Sequence, residues 1–164
     1  MGKPAGRVTD AVVHPIPPIL GPGPGSVTVL IGGLPAWRGV GPAAAAAIQS
    51  AKKISDMAIK TAEAATVAAA GTPGLPAVKA AEETAKATAA STMGSMITGA
   101  AGMADVHICG TPLPLPPHGP GVVVDGSMTV QINMLPAARM GDTIVEAVGP
   151  PNKIARGCFT VMIG

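Results

Sequence analysis

The chain has 164 residues, a formal charge of +2 and only two large aromatic side chains, Trp37 and Phe159. That length suits one domain with at most an appendage. A near-neutral chain without basic clusters interleaved with aromatics excludes a nucleic-acid footprint. Twenty-two glycines and eighteen prolines could mean disorder, but the regular Val/Ile/Thr runs and a mean hydropathy of +0.45 argue for a folded chain. Lys3 is not followed by an apolar run, so no secretory signal is expected. Two cysteines point to metal binding or a thiol more than to a disulfide framework.

One phrase recurs. Pro4-Ala5-Gly6-Arg7-Val8-Thr9-Asp10 and Pro136-Ala137-Ala138-Arg139-Met140-Gly141-Asp142 share a Pro-Ala-x-Arg-x-x-Asp pattern. A Gly-x-x-Thr-Val strand start, at Gly25 and at Gly157, stands 21 residues after each opening proline. A third copy opens at Pro35-Ala36-Trp37-Arg38 and lacks its Asp, which reappears at Asp105. Removing the 64 residues 39–102 leaves Pro35 as far from Pro136 as Asp105 is from Asp142, 37 residues in both cases. Internal repeats dictate architecture. Here they predict three β units around a pseudo-threefold axis, with a foreign segment in the second.

In chain order, Val27–Ile31, Ser127–Ile132 and Phe159–Ile163 read as strands by their β-branched content and glycine borders. The proline-rich stretches 15–24 and 112–120 read as stiff irregular connectors, because proline lacks an N–H. Residues 43–70 and about 77–98 are alanine-rich, and alanine favours helix. Gly71-Thr72-Pro73-Gly74-Leu75-Pro76 separates them. Asp56/Lys60, Lys79/Glu83 and Glu82/Lys86 stand at i,i+4 spacing, which suits an exposed helix face. The segment therefore reads as an antiparallel helical hairpin, too polar to span a membrane. The expected organisation is a discontinuous β unit, 1–38 plus 103–164, and a hairpin insertion, 39–102.

All the histidines and cysteines, His14, His107, Cys109, His118 and Cys158, lie in the β units. A core built from Val, Ile and Leu on this scale usually needs a staple. If the repeats converge, imidazole and thiolate together suit zinc in a closed, structural site. The plain alternatives are loop histidines, a buried hydrophobic Cys158 or a Cys109–Cys158 disulfide. The Arg and Asp of each phrase read as structural, bridging neighbouring units and forming turns.

The phrase Pro136-Ala137-Ala138-Arg139, the Gly-Ser-x-Thr-Val strand starts, the loop 149–154 and the ending Gly157–Gly164 resemble the PAAR-repeat family. The resemblance covers residues 4–38 and 103–164, and departs from the family at Trp37 and in the insertion. It implies a mainly β fold: a pseudo-threefold cone of β-hairpins, here carrying an inserted antiparallel α-helical hairpin. It implies one structural Zn2+ per chain, held by three histidines and a cysteine. Those ligands would be His14, His107, His118 and Cys158, with Cys109 as a fifth candidate. It implies a non-enzymatic tip that caps the trimeric valine-glycine repeat (VgrG-type) β-helical spike of a type VI secretion system. Such a tip is assembled in the bacterial cytoplasm and then delivered to the exterior or a target cell, crossing a membrane transiently. The hairpin would hold an effector or chaperone. The competing readings are a small zinc-dependent hydrolase or toxin, and a membrane-inserting tip acting through the alanine-rich hairpin.

Overall fold

A computed structural model describes residues 2–14, 18–109 and 118–164. In chain order the elements are β1 (Lys3–Ala5), β2 (Pro22–Gly23), β3 (Leu30–Ile31), β4 (Leu34–Pro35), α1 (Pro42–Ala68), α2 (Leu75–Ala101), β5 (Val106–Cys109), β6 (Gly119–Val123), β7 (Gln131–Ile132), β8 (Leu135–Pro136), β9 (Thr143–Glu146), β10 (Asn152–Lys153) and β11 (Cys158–Ile163). Five strands form one antiparallel sheet in the order β10-β9-β6-β5-β2. β1 pairs with β11, and β3–β4 and β7–β8 are two-residue hairpin arms.

The three phrases form a closed ring. The N–H of Gly6 donates to Ala138 O, that of Ala138 to Trp37 O and that of Trp37 to Gly6 O, over 2.7–2.9 Å. One shell out, Val8 N donates to Pro35 O, Gly39 N to Pro136 O and Met140 N to Pro4 O. These residues occupy equivalent positions in the three copies, so the ring is a pseudo-threefold axis made of backbone. Buried N–H and C=O groups must be paired, and here each copy is satisfied by the next.

The Asp of each phrase completes its own copy. Arg7 N and Nε donate to Asp10 Oδ2, and Arg139 N and Nε donate to Asp142 Oδ2. Arg38 N and Nε make the same bonds to Asp105 Oδ2, at 2.7 and 3.0 Å, and its Nη2 reaches Oδ1 at 2.8 Å. The partner displaced by 67 residues thus occupies the place that the other copies fill at i+3. The insertion interrupts the sequence and leaves the motif whole.

The helices pack antiparallel, in keeping with the small residues between them. Pro42 starts α1 at a position where its missing N–H costs nothing. Gly71, at φ +78°, takes the left-handed conformation in the connection. Val40, Ile48, Met93, Ile97 and Ala101 pack on Val122, Val145 and Ala147 of the sheet side. Full burial of a side chain such as Ile48 stabilises by about 1.5–3 kcal/mol. The base of the hairpin is therefore welded to the β unit by an apolar seam. Further out, Lys86 bridges the helices, 2.8 Å from Glu63 and 2.6 Å from Glu82. Of the anticipated i,i+4 pairs, Glu82/Lys86 forms, while Asp56 is taken by Lys52 rather than Lys60. No helix among the described residues is long and apolar enough to cross a membrane.

Three expectations about strands change. The runs at 27–31 and 127–132 contribute only Leu30–Ile31 and Gln131–Ile132 to ladders. The reason is local: Ser26 Oγ accepts the N–H groups of Thr28 and Val29, and Ser127 Oγ those of Thr129 and Val130. A side chain that takes those donors turns the backbone out of the sheet. The proline-rich connectors also join the sheet: Pro22–Gly23 is its edge strand β2, and Gly119-Pro120 opens β6. Residues 15–17 and 110–117 of those connectors lie outside the described residues.

Candidate metal centre

Four donor groups converge at the end of the five-stranded sheet. Ligand atoms of His14, Cys109, His118 and Glu146 all lie within 4.8 Å of one another. His14 comes from the first unit, just after Val12 and Val13, whose N–H groups donate to Pro18 O and Lys153 O. Cys109 ends β5 and stands opposite Gly119 in the β5–β6 register, one residue from His118. Val148 N donates to His118 O and fixes that residue from the third unit. Glu146 ends β9, opposite Gly121 of β6.

The distances are those of a compact cluster. His14 Nε2 is 2.9 Å from His118 Nδ1, and Cys109 Sγ is 3.5 Å from His14 Nε2. His118 Nδ1 is also 2.9 Å from Glu146 Oε2, which accepts the Asn152 amide at 2.8 Å. Donors bonded at ~2.0–2.3 Å to one tetrahedral zinc stand roughly 3.3–3.8 Å apart. Three of the six spacings are 2.9–3.5 Å and the others lie within 4.8 Å, so gathering all four donors on one ion takes shifts of about an ångström or less. Two imidazoles, a thiolate and a carboxylate suit zinc by softness and charge.

His107 is 1 % exposed, with Nε2 3.4 Å from Glu146 Oε1. It lies beside the cluster rather than in it. His107, Gly121 and Glu146 align across β5, β6 and β9. A Cβ on Gly121 would meet Glu146 Cγ at 2.8 Å. The glycine is what allows the carboxylate to lie across the central strand toward the imidazole. Burial pushes the Glu146 carboxyl up, but His107, His118 and Asn152 together outweigh burial and hold it below the usual carboxylate range.

Cys158 is not part of this group, contrary to the ligand set that the resemblance implied. It starts β11, packs with Ala5, Ile31 and Ala137, and its Sγ is 3.1 Å from Thr160 Oγ1. Cys158 is the repeat equivalent of Ser26 and Ser127, and the N–H groups of Thr160 and Val161 lie near its sulfur, but residues 158–163 stay in strand β11. The Thr160 hydroxyl, helped by those N–H groups and Arg7, outweighs burial and holds the thiol below its ordinary value. The structure therefore unites His14 and His118, sets His107 one layer back, and places Cys109 where Cys158 had been expected. No disulfide joins the two cysteines. Sequence reasoning missed Glu146. The available signal was a lone acid inside the apolar run Ile144-Val145-Glu146-Ala147-Val148.

A second, repeat-related set of residues has a different character. Val27, Met128 and Phe159 hold equivalent positions one residue after Ser26, Ser127 and Cys158, and are 85 %, 76 % and 68 % exposed. Leu30, Met134 and Met162 are exposed as well.

Comparison with protein families matches residues 113–164 to the PAAR motif. Searches of curated proteins and of solved structures gave no match. The matched stretch is shorter than the 4–38 plus 103–164 that the resemblance covers, but the ring and the triplicate Arg–Asp bonds extend its pattern to both other copies. Residues 113–164 carry the PAAR motif, and the chain folds as a pseudo-threefold β unit with a helical insertion.

Proposed function

We propose that this protein is the tip of a type VI secretion spike, seated on a trimeric VgrG-type β-helix. The observation that carries the reading is the apolar trio Val27, Met128 and Phe159, exposed at equivalent places in the three copies. A pseudo-threefold apolar surface can meet three chains at once with the same contacts. Scattered exposed hydrophobics are ordinary; a repeat-related set is evidence of an interface. Open strand ends beside them can continue a partner's backbone pairing.

At the opposite end a bound metal would fasten three units whose loops have little core of their own. His14, Cys109 and His118 supply it with two imidazoles and a thiolate. The metal would act structurally, its binding energy adding to folding energy, and the tip is non-enzymatic. The helical hairpin, fixed to the flank by its apolar seam, is a lateral arm for an effector or chaperone. The protein is then assembled in the bacterial cytoplasm and leaves with the spike.

Native mass spectrometry of the chain mixed with a purified VgrG-type trimer tests this reading. One chain per trimer is expected, and Phe159→Asp should abolish the complex while leaving the metal content unchanged. Failure of the intact chain to bind, or undiminished binding by Phe159→Asp together with Met128→Asp, counts against it.

A further inference from the structure

We propose that Glu146, and not His107, supplies the fourth donor of the metal centre, and that His107 is the positioning residue behind it. The inference rests on the metal-binding reading above and assigns its coordination. Of the two groups that could complete a set with His14, Cys109 and His118, only Glu146 lies within 4.8 Å of all three.

The carboxylate stands between two imidazoles. Oε2 faces the cluster, 2.9 Å from His118 Nδ1, and Oε1 faces His107 Nε2 at 3.4 Å. For His107 to bind the same ion, Glu146 would have to withdraw. Its backbone is locked in β9 between β6 and β10, its Oε2 is held by the Asn152 amide, and it is 0 % exposed. A buried carboxylate has nowhere to go but inward, where its charge must be compensated.

His107 has the features of a supporting group. It is buried, and among the described residues neither its ring nitrogens nor Glu146 Oε1 has a hydrogen-bond partner of good geometry. A small closure and turn of the ring lets Nε2–H donate to Oε1, pairing those two atoms. Ligating carboxylates are commonly held by such outer hydrogen bonds. Gly121 keeps the path between them clear, since a side chain there would strike Glu146. The resulting donor set is two imidazoles, one thiolate and one carboxylate oxygen.

X-ray absorption at the zinc edge of the zinc-loaded full chain reads this directly. The expected spectrum fits one sulfur, two imidazoles and one further light donor. In His107→Gln the same two-imidazole signature should persist, with zinc affinity lowered by about 10–100-fold, the usual cost of losing an outer-layer partner. Three imidazoles in the intact chain, or loss of one imidazole in His107→Gln, overturns the assignment while leaving the metal reading intact. A chain that binds no zinc, or zinc without sulfur, defeats the metal reading and this assignment together.

Discussion

The two ends of the axis use the same three repeats in opposite ways. At the apolar surface the repeats stay equivalent: Ser26, Ser127 and Cys158 hold the same place in the three copies, and Val27, Met128 and Phe159 follow them, exposed. At the cluster the repeats diverge. The first unit gives His14, the second gives Cys109 and His118, and the third gives Glu146. The backbone ring between them holds both ends in place. On the proposed function, repetition would serve a surface that meets a symmetric partner, whereas one ion would need different donors from each direction.

The largest effect should come from the divergent end. Stripping zinc with a chelator, or replacing Cys109 by Ala, removes a fastening that is expected to be worth several kcal/mol, given that structural zinc sites can supply ~10 kcal/mol or more. At roughly 2–4 °C per kcal/mol for a chain of this size, the melting temperature should fall by more than about 10 °C. Acidification should act the same way, since the ligands must be deprotonated to hold metal. Zinc loss should therefore precede unfolding in an acid titration followed by a chromophoric chelator.

Next comes the ring. Asp105 is fully buried and pairs with an almost fully buried Arg38, whereas Arg7 of the Arg7–Asp10 pair keeps more solvent contact. Breaking a buried pair by removing one partner costs about 3–5 kcal/mol. Urea unfolding should show Asp105→Ala near that figure and Asp10→Ala clearly below it. Equal losses would mean that burial does not distinguish the copies. In the hairpin seam, Ile48→Ala should cost about 2–5 kcal/mol and leave zinc content unchanged, which separates the arm from the metal centre.

The smallest effect is expected at Cys158→Ser, because serine already occupies the equivalent position in the other two copies, at 26 and 127. The melting temperature should move by no more than about 3 °C. The sign of its pH dependence is also fixed. The folded thiol is held low, so Cys158 adds stability above the ordinary thiol value of about 8.5, and that addition is lost as pH falls through the folded value. Thermal melts across the alkaline range should rise slightly for the intact chain and stay flat for Cys158→Ser.

Much of the fold was legible because repetition is a linear signal. The spacing of Pro35, Asp105, Pro136 and Asp142 located the insertion and assigned Asp105 to the second copy, whereas the Arg38–Asp105 bond within that copy came only with the structure. Alanine runs and the Gly71–Pro76 break located the helices to within a few residues. The strands at 27–31 and 127–132 were over-read, because β-propensity does not register a serine hydroxyl diverting two N–H groups. The site was only half legible. His14 and His118 carry their chemistry in their names, but choosing between Cys109 and Cys158 requires knowing which end of the axis each faces. Glu146 was hidden because its role depends on β6 offering a glycine at 121, a cross-strand relation that no local spacing encodes.

Zinc stoichiometry in three chains tests the central claim most directly: that the repeats bring residues from all three units to one metal at one end and keep Cys158 for the other. Metal analysis of the intact protein, Cys109→Ser and Cys158→Ser should give close to one zinc per chain, little or none, and close to one, respectively. A Cys158→Ser protein that loses its zinc, beside a Cys109→Ser protein that keeps it, would contradict the account.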